Sequence, residues 1–411
     1  MIPISKAYKI IDKETGVIGS ETIRLDHAVG RVLAQDIVAD TDMPPFDRSQ
    51  MDGFAVRAAD VTQVPVDLRL VGESAAGRGW HKTLKPGEAV RIMTGAPVPK
   101  GADAVQKLEL AQETDKPGVF GSSRDSKSSV RILESVETGR FIVGKGSEIK
   151  KGAVLFKSGT LVTEGMITGI AAFGYSEIKV AKKPVVAVLS TGSEIVAIDK
   201  KPGRDQIRNS NSVMLKVLCE QAGASARSLP IAGDDLEKLT TSISRTANDG
   251  KTDVLVITGG VSVGKYDLTK AALKELGAEI FFEKVRLKPG KPAVFAKLGN
   301  LLVFGLPGNP VSSAVTFYLF VRRAIRRMQS ALEVELRTGY ARTAARMKGA
   351  AERETYLPVE LETNKDGILL AKPLKWGGSS DFVGFARAEA LAKVPKAKIY
   401  EAGEIVDIVY I

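Results

Sequence analysis

Three loops rich in glycine and proline hold the residues best able to do chemistry, all between positions 253 and 310. The first, Thr258-Gly259-Gly260, runs through Ser262 and Gly264 to Asp267. The second is Leu287-Lys288-Pro289-Gly290-Lys291-Pro292, and the third Gly305-Leu306-Pro307-Gly308-Asn309-Pro310. Glycines let backbone N–H groups come close to a phosphate or oxyanion. Glu194, Asp234 and Asp267 each follow an apolar run, and carboxylates are the oxygen donors that a hard cation such as Mg²⁺ takes. Lys284, Lys288 and Lys291 supply positive charge for a phosphate or oxyanion. Taken singly, each acid also reads as a helix cap preceding a helix, and each glycine as a turn. Their joint occurrence at successive strand ends points to one cleft holding an anion beside a cation.

The elements that must position these loops alternate across 182–330. Apolar runs at 185–189, 226–230 and 254–257 read as buried strands. Between them lie helical patterns at 212–222, 236–248 and 268–276. A strand near 279–283, a strand pair at 294–298 and 301–304, and a long helix at 311–328 follow, with Pro310 in its first turn and Asn309 as cap. This order predicts a mostly parallel sheet with ligands at the carboxyl ends of its strands. Residues 46–149 change to short β-prone runs separated by glycines, an inserted β-rich domain. Within it, Asp52-Gly53 and Thr94-Gly95 read equally as turns or as site residues. Helical patterns near 5–13 and 26–34, joined to residues 150–181, suggest a discontinuous mixed domain formed by 1–45 and 150–181. Residues 331–411 revert to short alternating segments, a small C-terminal β-barrel or sandwich.

The chain has 411 residues, enough for several cores, and a formal net charge of +11. Its Lys and Arg are mixed with acids, which suits a solvated basic surface and an anionic small ligand rather than a nucleic-acid stripe. No run approaches the roughly twenty apolar residues of a membrane span, and residues 1–16 lack a signal-peptide core. A lone cysteine, Cys219, excludes an internal disulfide framework and fits the reducing cytoplasm. With only His27 and His81, a histidine zinc site or a Ser-His-Asp triad is disfavoured.

The ordered motifs PPFDRSQMDGFAV, RIMTGAPVP, STGSE, TGGVSVGKYDLTK, LKPGKP, GLPGNPVSS and GGSSDF run over nearly the whole chain. Together they resemble the molybdopterin molybdenumtransferase family, which includes the E domain of gephyrin. The resemblance implies a molybdopterin-binding-like central domain and a homodimer whose cleft lies between that domain and the partner's β-rich domain. It implies that molybdate is inserted into adenylylated molybdopterin, with Mg²⁺ or another divalent cation assisting pyrophosphate cleavage and AMP released. Carried over, Asp52, Thr94, Glu194, Asp234, Asp267, Lys284 and Lys288 are the expected catalytic residues. Glu194, Asp234 and Asp267 are the expected metal ligands. Gly259, Gly260, Ser262, Gly264, Lys291, Pro307, Gly308, Asn309, Pro310 and Ser380 are expected to hold the pterin and its phosphates. A molybdopterin adenylyltransferase and recipient molybdoenzymes are the implied partners. The sequence departs from the family where Lys145-Gly146-Ser147-Glu148 lacks an arginine and carries Glu148 in place of an aspartate. It departs again where Ser193-Glu194 offers one carboxylate fewer, which leaves tungstate open beside molybdate. An adenylyltransferase or other nucleotide-processing enzyme on the same fold, and a non-catalytic gephyrin-like scaffold, are the alternatives.

Overall fold

Every residue of the strand Val254–Thr258 is buried, and alternate residues belong to different cores. A computed structural model describes residues 1–113, 128–260, 268–374 and 378–411, and the chain divides into two compact units. Unit 1 comprises Met1–Gln35, Lys157–Thr168 and Ser176–Ile411. It contains a six-stranded sheet in the order Ser225–Ser228, Val185–Ser190, Val254–Thr258, Leu301–Leu306, Pro292–Leu298, Glu279–Lys284. The first four strands run parallel and the last two are antiparallel to their neighbours.

Period-2 alternation explains the apolar runs. Val186, Val188, Val254, Val256, Leu302 and Phe304 face one core, while Ala187, Leu189, Leu255, Ile257, Leu301 and Val303 face the other. The first face is covered by the helices Ile4–Glu14 and Ser210–Gln221 and by the segment that begins at Pro310. The second is covered by the helices Leu236–Ala247 and Leu268–Glu275. A sheet covered on both sides needs strands without a polar face, which is why they read as unbroken hydrophobic stretches. Asn209 and Asp235 accept from Ser212 N and Lys238 N at 3.2 and 3.0 Å, capping the first helical turns.

Pairing fixes where the loops emerge. Ser190 pairs with Thr258 and Thr258 with Leu306, so three parallel strands end level. The antiparallel partner places Val294 beside Gly305, and Lys284 pairs with Pro292. The starts and ends of these strands therefore bring the 191–194, 259–260, 284–292 and 307–310 loops to one sheet edge.

The C-terminal strands Glu354–Thr363, Leu369–Pro373, Thr338–Thr343, Ile405–Tyr410 and Ala390–Val394 close into a five-stranded barrel, because the last also pairs with the first. This resolves the barrel-or-sandwich expectation in favour of the barrel. Leu287–Lys288 adds to it in parallel with Glu354 and Thr355. Unit 2, Asp36–Phe156 with Gly169–Tyr175, holds a mixed sheet. Its order is Ala104–Lys107, Gly53–Val56, Glu88–Ile92, Val66–Ser74, Ser129–Ile132, Ala111–Glu113.

One local expectation fails, and another holds with an irregularity. Residues 26–34 form no α-helix: only Leu25–His27 is helical, as a 3-10 turn. Gly30 lies at φ 79°, and Val32 and Leu33 make isolated bridges to Leu161 and Val180. β-pairing has overridden the periodic pattern there. The long segment after Pro310 is interrupted by a π-helical stretch, Phe317–Val321, before Arg322–Met328 resumes the α-helix.

Asp12 fastens the first helix to this last one. Arg323 donates to both of its oxygens at 2.7 Å, and Arg327 donates at 3.0 Å. Burial alone would raise the Asp12 pKa, but these hydrogen bonds and the two guanidinium charges bring it down to about 2. A lowered folded-state value means stability that is present above pH 4 and lost as pH falls towards 2. Asp12→Ala is expected to cost about 2 kcal/mol at pH 7 and almost nothing near pH 2. Urea unfolding at both pH values measures the difference.

Candidate functional site

Two neighbouring pockets open at the sheet edge of unit 1. One, of about 580 Å³, is lined by Lys288, Pro289, Gly290, Lys291, Pro307, Asn309 and Ser312, with Lys348, Arg353 and Thr355 from the barrel side. Among the described residues four cations line it and no carboxylate does. The second, of about 740 Å³, is lined by Thr191, Glu194, Ile195, Ile207, Arg208, Asn209, Asn211, Gly259, Gly308, Asn309, Pro310, Ser380 and Phe382. Asn309 belongs to both.

The turns between the pockets are locked together. Thr191 N donates to Thr258 O at 3.0 Å. Gly259 and Gly260 lie at φ 92° and 63°, where a Cβ would stand 2.5 Å from Thr191 O and 2.8 Å from its Oγ1 respectively. Only glycine fits both the space and the backbone angle. Asn211 Nδ2 donates to Gly308 O at 2.7 Å and to Thr258 Oγ1 at 3.0 Å, tying the helix Ser210–Gln221 to the proline loop. Gly308 O is a carbonyl, so the nitrogen of that amide must face it. Asn211 Oδ1 and Thr191 Oγ1 are left buried without a partner among the described residues. Asn309 stands at the N-cap position before Pro310, yet its side chain makes no cap bond. Instead Nδ2 donates to Ser379 Oγ at 2.8 Å, and Val311 N donates to Ser379 O at 3.1 Å. The 378–381 loop is thereby pinned to the proline loop.

The acids are arranged differently from the capping alternative. Asp235, not Asp234, caps the helix that follows. Asp234 Oδ2 instead accepts from Ser193 N at 3.0 Å and Ser193 Oγ at 2.7 Å, so it sits against the residue before Glu194. Glu194 does not precede a helix either: the short strand Ile195–Val196 follows it, and its carboxylate folds back over Gly192. Asp234 is exposed and lines neither pocket; Lys284 is half-buried at a strand end and lines neither. Lys288, Lys291 and Pro307 line the first pocket, and Glu194, Gly259, Gly308, Pro310 and Ser380 the second. Ser262, Gly264 and Asp267 lie outside the described residues. Among the described residues no three His, Cys, Asp or Glu side chains gather as a metal site, and no helix is long and apolar enough to cross a membrane.

Lys348 and Arg353 are the residues that sequence reasoning missed. They come from the barrel region, about sixty residues beyond the lysine loop, and no local motif marks them.

In unit 2, Thr94 donates to Asp52 Oδ1 through both its N–H and its hydroxyl, each at 2.7 Å. The backbone bond first, and the hydroxyl second, hold the Asp52 carboxyl below the usual carboxylate range. Gly53, next in sequence, has no room for a side chain, since a Cβ would stand 1.9 Å from Gln106 O. At the position where the family pattern has aspartate, Glu148 accepts from Arg48 at 2.9 Å.

A doubly covered, mostly parallel sheet with two pockets at one edge, plus a five-stranded barrel, defines a multidomain protein of α/β and β parts. Residues 2–174 match the MoeA N-terminal region (domain I and II), 187–327 the probable molybdopterin binding domain, and 340–411 the MoeA C-terminal region (domain IV). The molybdopterin molybdenumtransferase of Bacillus subtilis is 35% identical over 100% of this chain and 94% of its own length. That of Staphylococcus aureus strain COL is 32% identical over 99% of this chain and 95% of its own length. A crystal structure of a molybdopterin biosynthesis moeA protein from Pyrococcus horikoshii OT3 superposes with a TM-score of 0.83 at 27% identity, over 100% of both chains. The chain belongs to the molybdopterin molybdenumtransferase family.

Proposed function

We propose that this enzyme transfers molybdenum to adenylylated molybdopterin, taking up molybdate and releasing AMP. The observation that carries the reading is the pairing, across a shared residue, Asn309, of a pocket whose charged lining among the described residues is cationic with a larger, partly apolar one. A tetrahedral dianion suits Lys288, Lys291, Lys348 and Arg353, and the pterin-nucleotide suits the larger space. Asn309, anchored to Ser379, sets the distance between them. The glycine turn at 259–260 brings backbone close to the substrate's phosphates.

Glu194, Asp234 and Asp267 would hold a divalent cation. The first two flank Ser193 and offer only oxygen donors, the set a hard ion prefers. Bound there, such a cation would polarise the pyrophosphate. We further propose a homodimer in which Asp52 and Thr94 of one copy complete the cleft of the other. Exposed Phe46 and Met51 on the Asp52 loop support a docked rather than a solvated turn. The same reading has four domains, 1–45 with 150–181, 46–149, 182–330 and 331–411. It places the enzyme in a reducing cytoplasm, between an adenylyltransferase and recipient molybdoenzymes.

Incubation with adenylylated molybdopterin is expected to release AMP only when molybdate is added. Adenylylation of molybdopterin from ATP without molybdate would instead support the nucleotide-processing alternative.

A further inference from the structure

Phe382 is 56% exposed, yet its backbone is held on every side. Asp381 caps its helix, Phe382–Phe385, by accepting from Gly384 N at 2.9 Å. Phe382 N donates to Ser380 O at 3.0 Å, and the preceding Ser379 is bound to both Asn309 and Val311. An aromatic ring left open to water on a tethered loop forgoes the stabilisation of burial, about 1.5–3 kcal/mol for a phenylalanine side chain. The ring is also a wall of the larger pocket. Another wall of that pocket carries a second exposed apolar residue, Ile207, at 59%, on a two-residue strand paired with Ile195–Val196. Gly259, Gly308, Asn209 and Asn211 also line it, together with the charged side chains of Glu194 and Arg208.

We infer that Phe382 stacks on the planar fused ring of the substrate, a purine or pterin carried on a phosphate ester, with Ile207 closing the slot. A pocket lined by exposed apolar side chains and by polar groups fits a flat nitrogen heterocycle, whose faces are apolar and whose edge hydrogen-bonds. The inference rests on the functional reading given above and adds the residue that recognises the ring. Val383, beside it and 69% exposed, lines neither pocket, so it separates stacking from a general role of the loop.

Calorimetric titration of the full-length protein tests this with AMP and, in a separate arm, a metal-free pterin monophosphate. Phe382→Ala is expected to weaken at least one of these by about tenfold, the range of aromatic–base stacking. Phe382→Leu should weaken it comparably, because it keeps bulk and loses the ring face. Phe382→Trp should bind within about twofold of the unaltered protein, and Val383→Ala should match it. The affected ligand identifies the ring. Unchanged binding of both ligands by Phe382→Ala, or full affinity in Phe382→Leu, overturns the stacking role while leaving the pocket assignment intact. Failure of the unaltered protein to bind either ligand overturns the pocket assignment itself.

Discussion

The Arg353→Ala enzyme is expected to need about 10–100-fold more molybdate for half-maximal turnover, with AMP affinity unchanged. Among the described residues Arg353 is one of four cations, and no carboxylate, that line the pocket, so its loss removes attraction for an anion there. A hydrogen bond to a charged group contributes about 1.5–3 kcal/mol, which sets the range. Lys288→Ala should act similarly. The double variant should fall short of the product of the two, because removing one charge lets the remaining ammonium groups and water rearrange around the anion. Both effects should shrink as salt rises, since added anions compete for the same charges. Steady-state AMP release against molybdate concentration measures all of this. An unchanged half-saturation in both single variants would remove the oxyanion from this pocket.

Gly53→Ala is expected to abolish activity through the fold rather than the chemistry. Its Cβ would stand 1.9 Å from Gln106 O, a backbone atom in the paired strand Ala104–Lys107, and 3.1 Å from Leu108 N. No rotamer relieves a clash with main chain, so the Gly53–Val56 strand must separate from its neighbour. Overpacking a core costs about 1–3 kcal/mol where side chains can yield. Here they cannot, and a loss of at least about 3 kcal/mol is expected in the unfolding transition of unit 2. Leu108 N donates to Asp52 O at 3.1 Å, so the same displacement shifts the Asp52 turn. Denaturation followed by near-ultraviolet circular dichroism checks the stability, and normal stability in the variant would show that the strand pair can spread.

The unit 1 sheet was legible because doubly covered strands leave unbroken apolar runs, and caps such as Asn209 and Asp235 punctuate the helices. The barrel was harder. Its strand Thr338–Thr343 exposes half of its residues and carries no apolar run, so the residues near 340 gave no signal. The pattern at 26–34 misled because helical spacing there is coincidental with residues that pair in bridges. Within the site, the lysine and proline loops announced themselves through local composition. Lys348 and Arg353 did not, since a cation reaching a pocket from a distant strand looks like any solvated one. Asp234 was read as a cap or a metal ligand; Asp235 takes the cap, and the bonds from Ser193 to one Asp234 oxygen brace the turn that carries Glu194.

Leu287 and Lys288 are simultaneously the lysine loop of the sheet edge and a strand partner of Glu354 and Thr355. Barrel and loop are therefore joined by one strand pairing. A chimaera that grafts a relative's C-terminal barrel onto this chain without the matching 287–292 segment would break that seam and misplace Lys288. Exchange of barrels among relatives should be tolerated only when the crossover falls before residue 287.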